Sequence, residues 1–326
     1  MPKQLVDRQI KKMLAKRFGE KLRENEPMSA HTTFRVGGPA DLFVMPENMD
    51  DLLFLVRLVS LENIPWFVLG AGSNLLVRDG GFRGVVISMH KFSGISETPA
   101  GNGKVIVSAG AGLNLPALCR YAKERGLSGM AFAVGIPGSV GGALCMNAGT
   151  AQGDMESVIS SVTVLWPDGR IEQKEKKDMI FTYRSMKVKR DAEMEVKGCG
   201  SGNTDMAPIF LKGHFHLSEG SRHEISLAYE KALEKRRFNQ PAGLSAGSFF
   251  KNPQPGVSAG SLIEKAGLKG VFIGGACVSE RHANFIINTG CARAADIIAL
   301  AELVQRTVKE KFNETLIPEV VIIGED

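Results

Sequence analysis

Residues 131–149, AFAVGIPGSVGGALCMNAG, set the narrowest limits on what this chain can become. Gly135, Gly138, Gly141, Gly142 and Gly149 stand around Pro137, Ser139 and Asn147, with no charged side chain among them. A backbone this bare adopts dihedrals closed to other residues and lets another group approach closely. Successive N–H groups turned into one concavity bind anions, above all phosphate oxygens. Pro137 fixes φ ahead of Gly138-Ser139, and Gly141-Gly142-Ala143 opens an apolar run that predicts a helix start, where the dipole also favours negative charge. The guest such a run suits best is a pyrophosphate. The same residues would also serve as a packed turn between two buried elements.

A second glycine loop follows a short apolar strand. Trp66-Phe67-Val68-Leu69 runs into Gly70, Ala71, Gly72, Ser73, Asn74 and Leu75. It begins like a G-x-G-x-x-G fingerprint, but Leu75 stands where the third glycine belongs and no crossover helix follows. Leu76-Val77 continues as a strand, Asp79-Gly80-Gly81-Phe82 turns, and 84–87 forms the next strand. The dinucleotide fingerprint therefore fails its context, and a strand–loop–strand phosphate grip takes its place. A further strand and glycine pair at 105–113 leads into a helix, 115–125, with Lys123 and Arg125 in its last turn and Gly126 as its stop.

The remaining elements read from periodicity. Helices are expected at 4–24, 48–62, 223–238, 261–266 and 293–312, and a strand with a Gly-Gly turn at 28–38. A hairpin spans 161–166 and 170–173 around Pro167-Asp168-Gly169. Residues 189–206 read as a polar surface excursion. The strand 208–217 carries His214 and His216 on one face, but with no third ligand at useful spacing this reads as a solvated face, and no metal site is expected. Strands at 275–279, 284–288 and 316–323 alternate with helices, which argues for an α+β C-terminal region.

Charge and cysteines narrow the class. A net charge of +5 with interspersed signs excludes the basic stripe of a nucleic-acid binder and tolerates a small anionic substrate. Cys119, Cys145, Cys199, Cys277 and Cys291 never form a C-x-x-C pair and read as reduced thiols of a cytoplasmic protein. The first 26 residues are charged throughout and no apolar run reaches membrane length, so neither a signal peptide nor membrane insertion is expected.

The run GIPGSVGGALCMNAG is similar to the central FAD-binding segment of the UDP-N-acetylenolpyruvoylglucosamine reductase (MurB) family, flavoproteins of the vanillyl-alcohol-oxidase/PCMH fold. Four further matches occur in the same order: TTFRVGGPAD at 32–41, LGAGSNLLV at 69–77, TYRS at 182–185 with SAGSFFKNP at 245–253, and IPEVVIIG at 317–324. The resemblance implies an α+β chain. A two-part PCMH-type FAD-binding module spans 30–217, its subdomains at 20–97 and 98–217, and a smaller α+β substrate-binding domain follows at 223–326. FAD would be held without a covalent bond by Arg35, the 70–75 loop, and Gly135, Ile136, Pro137, Gly138, Ser139, Gly141, Gly142, Asn147, Ala148 and Gly149. Thr33 and Gly37 would also border the flavin. NADPH would be the reductant and UDP-N-acetylglucosamine enolpyruvate the substrate, with no obligate protein partner.

Ser248, Arg184 and Glu319 match the family's catalytic pattern, and the resemblance implies a proton donor, a cation on the carboxylate and a carboxyl group at the developing acid. Taken singly, each reads equally as a turn serine, a surface arginine or an edge-strand glutamate. Tyr183, Lys251, Asn252 and one of Arg236 or Arg237, with Arg237 preferred, are implied substrate contacts. Residues 278–288 resemble the subgroup without an extra substrate-covering loop. A different PCMH-type oxidase would share 32–149 but lack the trio and would often carry a His or Cys for covalent flavin. A nucleotide-binding module without activity would be colourless. The purified protein should therefore be yellow, and acid precipitation should release the flavin into the supernatant; flavin left on the polypeptide would refute non-covalent binding.

Overall fold

The computed structural model describes residues 6–190, the strand Glu195–Lys197 and residues 207–326. The expected excursion at 189–206 lies, apart from its first two residues and that strand, outside the described residues. Most helices begin and end as their caps dictate. Met49–Leu61 starts at Asn48, whose side chain accepts from the Asp51 amide at 2.9 Å. Leu115–Arg125 stops at Gly126, in the left-handed region at φ 70°.

Three expectations change. The leading helix is Arg8–Phe18 rather than 4–24: Gly19 at φ 52° ends it, and Leu22 enters the strand Leu22–Pro27 instead of a last helical turn. The alternating stretch 28–36 is not a strand. Met28–His31 is a 3₁₀ turn, and Phe34 and Val36 are buried from an irregular loop. Its amides bond across that loop, Met28 and Ser29 to the Gly38 and Gly37 carbonyls, while the Thr33 amide reaches the Gly72 carbonyl at 3.1 Å. The strand follows later, at Pro39–Val44. The closing strand is only Val321–Ile323, because the residues before it pair elsewhere.

The described residues divide into two compact units. The first comprises the described parts of Met1–Glu24, Leu42–Ala71 and Gly84–Lys235; the second comprises Asn25–Asp41, Gly72–Arg83 and Arg236–Asp326. The segments 25–41 and 72–83, expected inside the first FAD-binding subdomain, thus group with the C-terminal residues.

In the first unit, Trp66–Leu69 pairs in parallel with residues 85–88, Trp66 opposite Val85. No helix follows Leu69, as the failed fingerprint predicts. A larger antiparallel sheet runs in the order Ile171–Glu175, Ile159–Leu165, Ile209–Glu219, Lys104–Gly110 and Ile95–Gly101. Val107, Val162 and Phe215 of this sheet pack with Leu118, Leu144 and Trp166 into one apolar core. Leu14, Leu52, Leu55, Val85 and Ile87 form another.

The second unit is built on the helix Ala294–Phe312, whose Ile297, Leu300, Val304 and Val308 pack with Phe34, Phe249, Phe250 and Ile263. A small antiparallel sheet, Phe272–Ile273, Ala276–Val278 and Ile286–Asn288, lies in the same unit. Asp79 caps the long helix from a distant turn: its two carboxylate oxygens accept from the Ala294 and Ala295 amides, each at 2.9 Å. A carboxylate there satisfies two orphan donors and faces the positive end of the dipole.

The histidine pair separates. His216 is exposed, but His214 is half-buried, with Nδ1 2.7 Å from the Ser108 hydroxyl and Nε2 2.9 Å from that of Thr163. Burial pushes the His214 imidazole below the ordinary histidine value. The folded protein therefore prefers it neutral, and its contribution to stability is complete above about pH 6.5, then declines as pH falls toward the depressed native value, because the unfolded chain takes up the proton first. Denaturant midpoints measured between about pH 7.5 and about pH 5 should fall, and His214→Gln should flatten that slope. Equal slopes would remove His214 from this role.

Candidate active site

The 135–149 run keeps its conformation through the glycines. Gly135 and Gly138 sit at φ 76° and 139°, which a side chain would strain. Val140–Cys145 is a six-residue helix capped by the Ser139 hydroxyl, which accepts from the Gly142 amide at 3.3 Å. Its leading amides are directed into the protein rather than outward: Val140 donates to the Leu113 carbonyl and Gly141 to that of Ala111, both at 2.8 Å. The expected anion site at the helix start is therefore shifted. The amides of Gly138 and Ser139, just before the helix, have no acceptor among the described residues.

Close packing explains several of the other small residues. A Cβ on Gly141 would stand 2.9 Å from that of Ala111, one on Gly149 2.5 Å from that of Asp154, and one on Gly70 would overlap the Ser139 hydroxyl. Asn147, at φ 38°, holds the next turn, its side chain accepting from the Glu156 amide at 3.0 Å. The Ile136 and Ala148 amides are satisfied by the Ala133 and Ala143 carbonyls, and Pro137 is exposed. A cavity of about 40 Å³ is lined by Gly70, Ser139, Gly141, Gly142, Met89 and Cys145, so the two glycine loops meet within the first unit. The exposed Ala71 also presents an amide without an acceptor among the described residues. Open amides beside bare backbone are the donor set a diphosphate requires, and the residues present fit FAD.

Tyr183 and Arg184 form the turn between Met179–Thr182 and Ser185–Lys189. Arg184 is held at φ 59°, and its guanidinium carbon lies 5.0 Å from the centre of the exposed Tyr183 ring. A non-glycine residue held in the left-handed region marks a turn that its surroundings over-determine.

The second unit assembles the other expected residues. After Ser248, the chain is clamped by the buried Asn284: the Phe249 amide donates to the Asn284 carbonyl at 2.7 Å, the Phe250 amide donates to its side-chain oxygen at 2.9 Å, and its side-chain amide donates to the Phe250 carbonyl at 2.8 Å. The same segment pairs with the residues before the last strand, Lys251 N–H to the Ile317 carbonyl at 2.8 Å and Glu319 N–H to the Phe249 carbonyl at 2.7 Å. Glu319 and the residue that follows Ser248 are thus joined by a short antiparallel pairing of 249–251 with 317–319. Asn252 has a structural task, its side-chain oxygen accepting from the Ala259 amide at 3.0 Å. Lys251 is half-buried, Arg237 is exposed on the helix Arg222–Asn239, and Arg35 is exposed at φ 53°.

The 72–75 part of the second glycine loop belongs to this unit. Gly72, at φ 61°, leaves no room for a Cβ against the His31 carbonyl. The Asn74 side chain donates to the Glu319 carbonyl at 3.0 Å, the Val321 amide donates to the Asn74 carbonyl at 3.0 Å, and Leu75 then pairs with Val321. Asn284 was not singled out from the sequence; its one signal is a polar side chain inside the apolar run 283–287.

The sequence profile of an FAD binding domain matches residues 40–173, and that of the UDP-N-acetylenolpyruvoylglucosamine reductase C-terminal domain matches 239–323. The chain is 46% identical over 322 residues to the UDP-N-acetylenolpyruvoylglucosamine reductase of Desulfosudis oleivorans, covering 98% of this chain and 100% of the relative. To that of Anoxybacillus flavithermus it is 41% identical, covering 93% and 94%. The crystal structure of the reductase from Thermus caldophilus superposes with a TM-score of 0.75 at 35% identity, covering 93% of this chain and all of that one.

Because Gly138 combines a left-handed φ with an open amide, Gly138→Val should abolish flavin retention while the second unit stays folded. Flavin absorbance after gel filtration checks this, and an unchanged affinity for FAD would place the cradle elsewhere.

Proposed function

The chain belongs to the UDP-N-acetylenolpyruvoylglucosamine reductase family, an FAD-binding domain followed by the family's α+β C-terminal domain, and from that membership we infer how its own residues carry the reaction. It is a flavoprotein oxidoreductase, a UDP-N-acetylmuramate dehydrogenase, and serves peptidoglycan precursor synthesis. NADPH is the proposed reductant, UDP-N-acetylglucosamine enolpyruvate the substrate and the cytoplasm the location. The observation that supports the assignment of roles is the pairing of 249–251 with 317–319, which joins the segment after Ser248 to Glu319.

Bound FAD would supply the hydride to the methylene carbon of the enolpyruvyl group. Negative charge then develops on the carbon beside the substrate carboxylate, delocalised as an enolate, and it needs both electrostatic help and a proton. Arg184 is assigned to the carboxylate, where a guanidinium fork matches two oxygens. Glu319, protonated, donates a hydrogen bond to the developing acid; one such donor is worth about 3–4 kcal/mol. The Ser248 hydroxyl gives its proton to the carbon. Serine is a weak acid in water, but an enolate carbon is a strongly basic acceptor, and general-acid help supplies roughly 10²–10⁴ in rate.

Tyr183, Lys251 and Arg237 are assigned to the substrate's carboxylate and diphosphate. With its side-chain oxygen engaged at Ala259, Asn252 keeps only its amide hydrogens for such a contact. The 278–288 segment, read as the form without a covering loop, contributes Asn284 as the clamp on Phe249 and Phe250, which follow Ser248.

Two half-reactions separate these roles. Ser248→Ala should leave NADPH reduction of the flavin nearly intact and slow its reoxidation by the enolpyruvyl substrate by roughly 10²–10⁴ or more. Glu319→Gln should show the same asymmetry in weaker form, and Arg184→Ala should also weaken substrate binding. Stopped-flow flavin absorbance follows both steps, and a Ser248→Ala protein equally slow in both, or fast in the second, would take the proton donor's role from serine.

A further inference from the structure

Glu319 precedes the last strand, so neither of its peptide groups belongs to the ladder between Leu75–Val77 and Val321–Ile323. Both are nevertheless held. Its amide donates to the Phe249 carbonyl at 2.7 Å, and its carbonyl accepts from the Asn74 side chain at 3.0 Å. The Asn74 carbonyl in turn receives the Val321 amide at 3.0 Å, so Asn74 brackets Glu319 and Val320 from two points. The Phe249 amide continues the series to the Asn284 carbonyl, and the Asn284 side chain closes on Phe250. An unbroken series of hydrogen bonds therefore runs from the 72–75 loop through Glu319 to the residue following Ser248, within the second unit.

We propose that Asn74 is a positioning residue for the acid pair: its side-chain amide holds the Glu319 backbone, and through Phe249 the start of the Ser248 segment, in register with the 72–75 loop. The role rests on the assignment of Glu319 above and differs from the cofactor contact expected of Asn74, because the amide hydrogen directed at Glu319 is not available to a phosphate. Only a side chain carrying an N–H donor at that reach satisfies the carbonyl. Aspartate has the same shape and offers oxygens alone. Displacement of a reacting group by about 1 Å costs on the order of 10²-fold in rate, so a lost strut should be felt in the step that uses the acids and not in the step that does not.

The test uses full-length holoenzyme carrying Asn74→Asp or Asn74→Ala, each alone and combined with Glu319→Gln, all saturated with added FAD. Stopped-flow absorbance reads flavin reduction by NADPH and reoxidation by the enolpyruvyl substrate. The proposal expects unchanged reduction and reoxidation slowed by about 10²-fold in both single variants, with a clearly less than additive loss when either is added to Glu319→Gln. Full additivity in the double variants would overturn it, since Asn74 would then act independently of Glu319. Reoxidation at the wild-type rate in the FAD-saturated single variants would also overturn it and leave Asn74 a cofactor contact. A general loosening would slow both half-reactions together and equally refute the assignment. Wild-type reoxidation in Glu319→Gln alone would instead fail the reading of Glu319, and the proposal with it, a result recognisable because it appears without any change at Asn74.

Discussion

The hydrogen bond from the Glu319 amide to the Phe249 carbonyl is the point on which the candidate site depends. It is a single backbone bond, worth about 0.5–1.5 kcal/mol in isolation, yet it joins two segments that come from distant parts of the chain and from no common sheet. What makes it durable is the anchoring on either side. Phe249 and Phe250 are buried among Phe34, Ile263 and Ile297, and Asn284 satisfies the peptide groups that this burial removes from water. Without those bonds, the same burial would leave polar backbone unsatisfied at a cost of roughly 1–3 kcal/mol per group.

Asparagine recurs in this unit for one physical reason. Its side chain carries a carbonyl and an amide on a short stem and substitutes for a missing strand neighbour. Asn284 does so for Phe250, Asn74 for the Glu319 carbonyl, and Asn288 donates to the Phe34 carbonyl at 2.8 Å while accepting from the Gly290 and Ala292 amides. Three irregular segments that carry or flank the site residues are thereby fixed without regular secondary structure. The long helix gains its N-terminal cap in the same manner, from Asp79 in a turn more than two hundred residues earlier.

Glycine plays two separate parts that look alike in the sequence. At Gly138 the backbone conformation and open amide agree with a cradle for a diphosphate. At Gly141 and Gly149 the requirement is internal, since a Cβ would meet Ala111 or Asp154. Both kinds of position are bare because another group comes close, and whether that group is a ligand or the protein's own chain is decided by the neighbours rather than by the glycine.

Much of the architecture was legible locally. The helix Leu115–Arg125 with its glycine stop, the Asn48 cap, the hairpin around Pro167-Asp168-Gly169 and the strand–loop–strand in place of a dinucleotide fold all follow from residues within one or two turns of each other. The order of the glycine loops with Ser248, Arg184 and Glu319 likewise resembles that of a flavin-dependent reductase family. The irregular loop at 28–38 was not legible, because alternating burial of Phe34 and Val36 imitates a strand when the amides actually bond to the loop itself and to Gly72. Only the tertiary structure decided that 25–41 and 72–83 group with the C-terminal unit, that Asn74 bonds the Glu319 carbonyl, and that Asn284 clamps Phe249 and Phe250. Periodicity and capping report neighbours a few residues apart, whereas the partner of Asn74 lies 245 residues away, and no local pattern carries information over that distance.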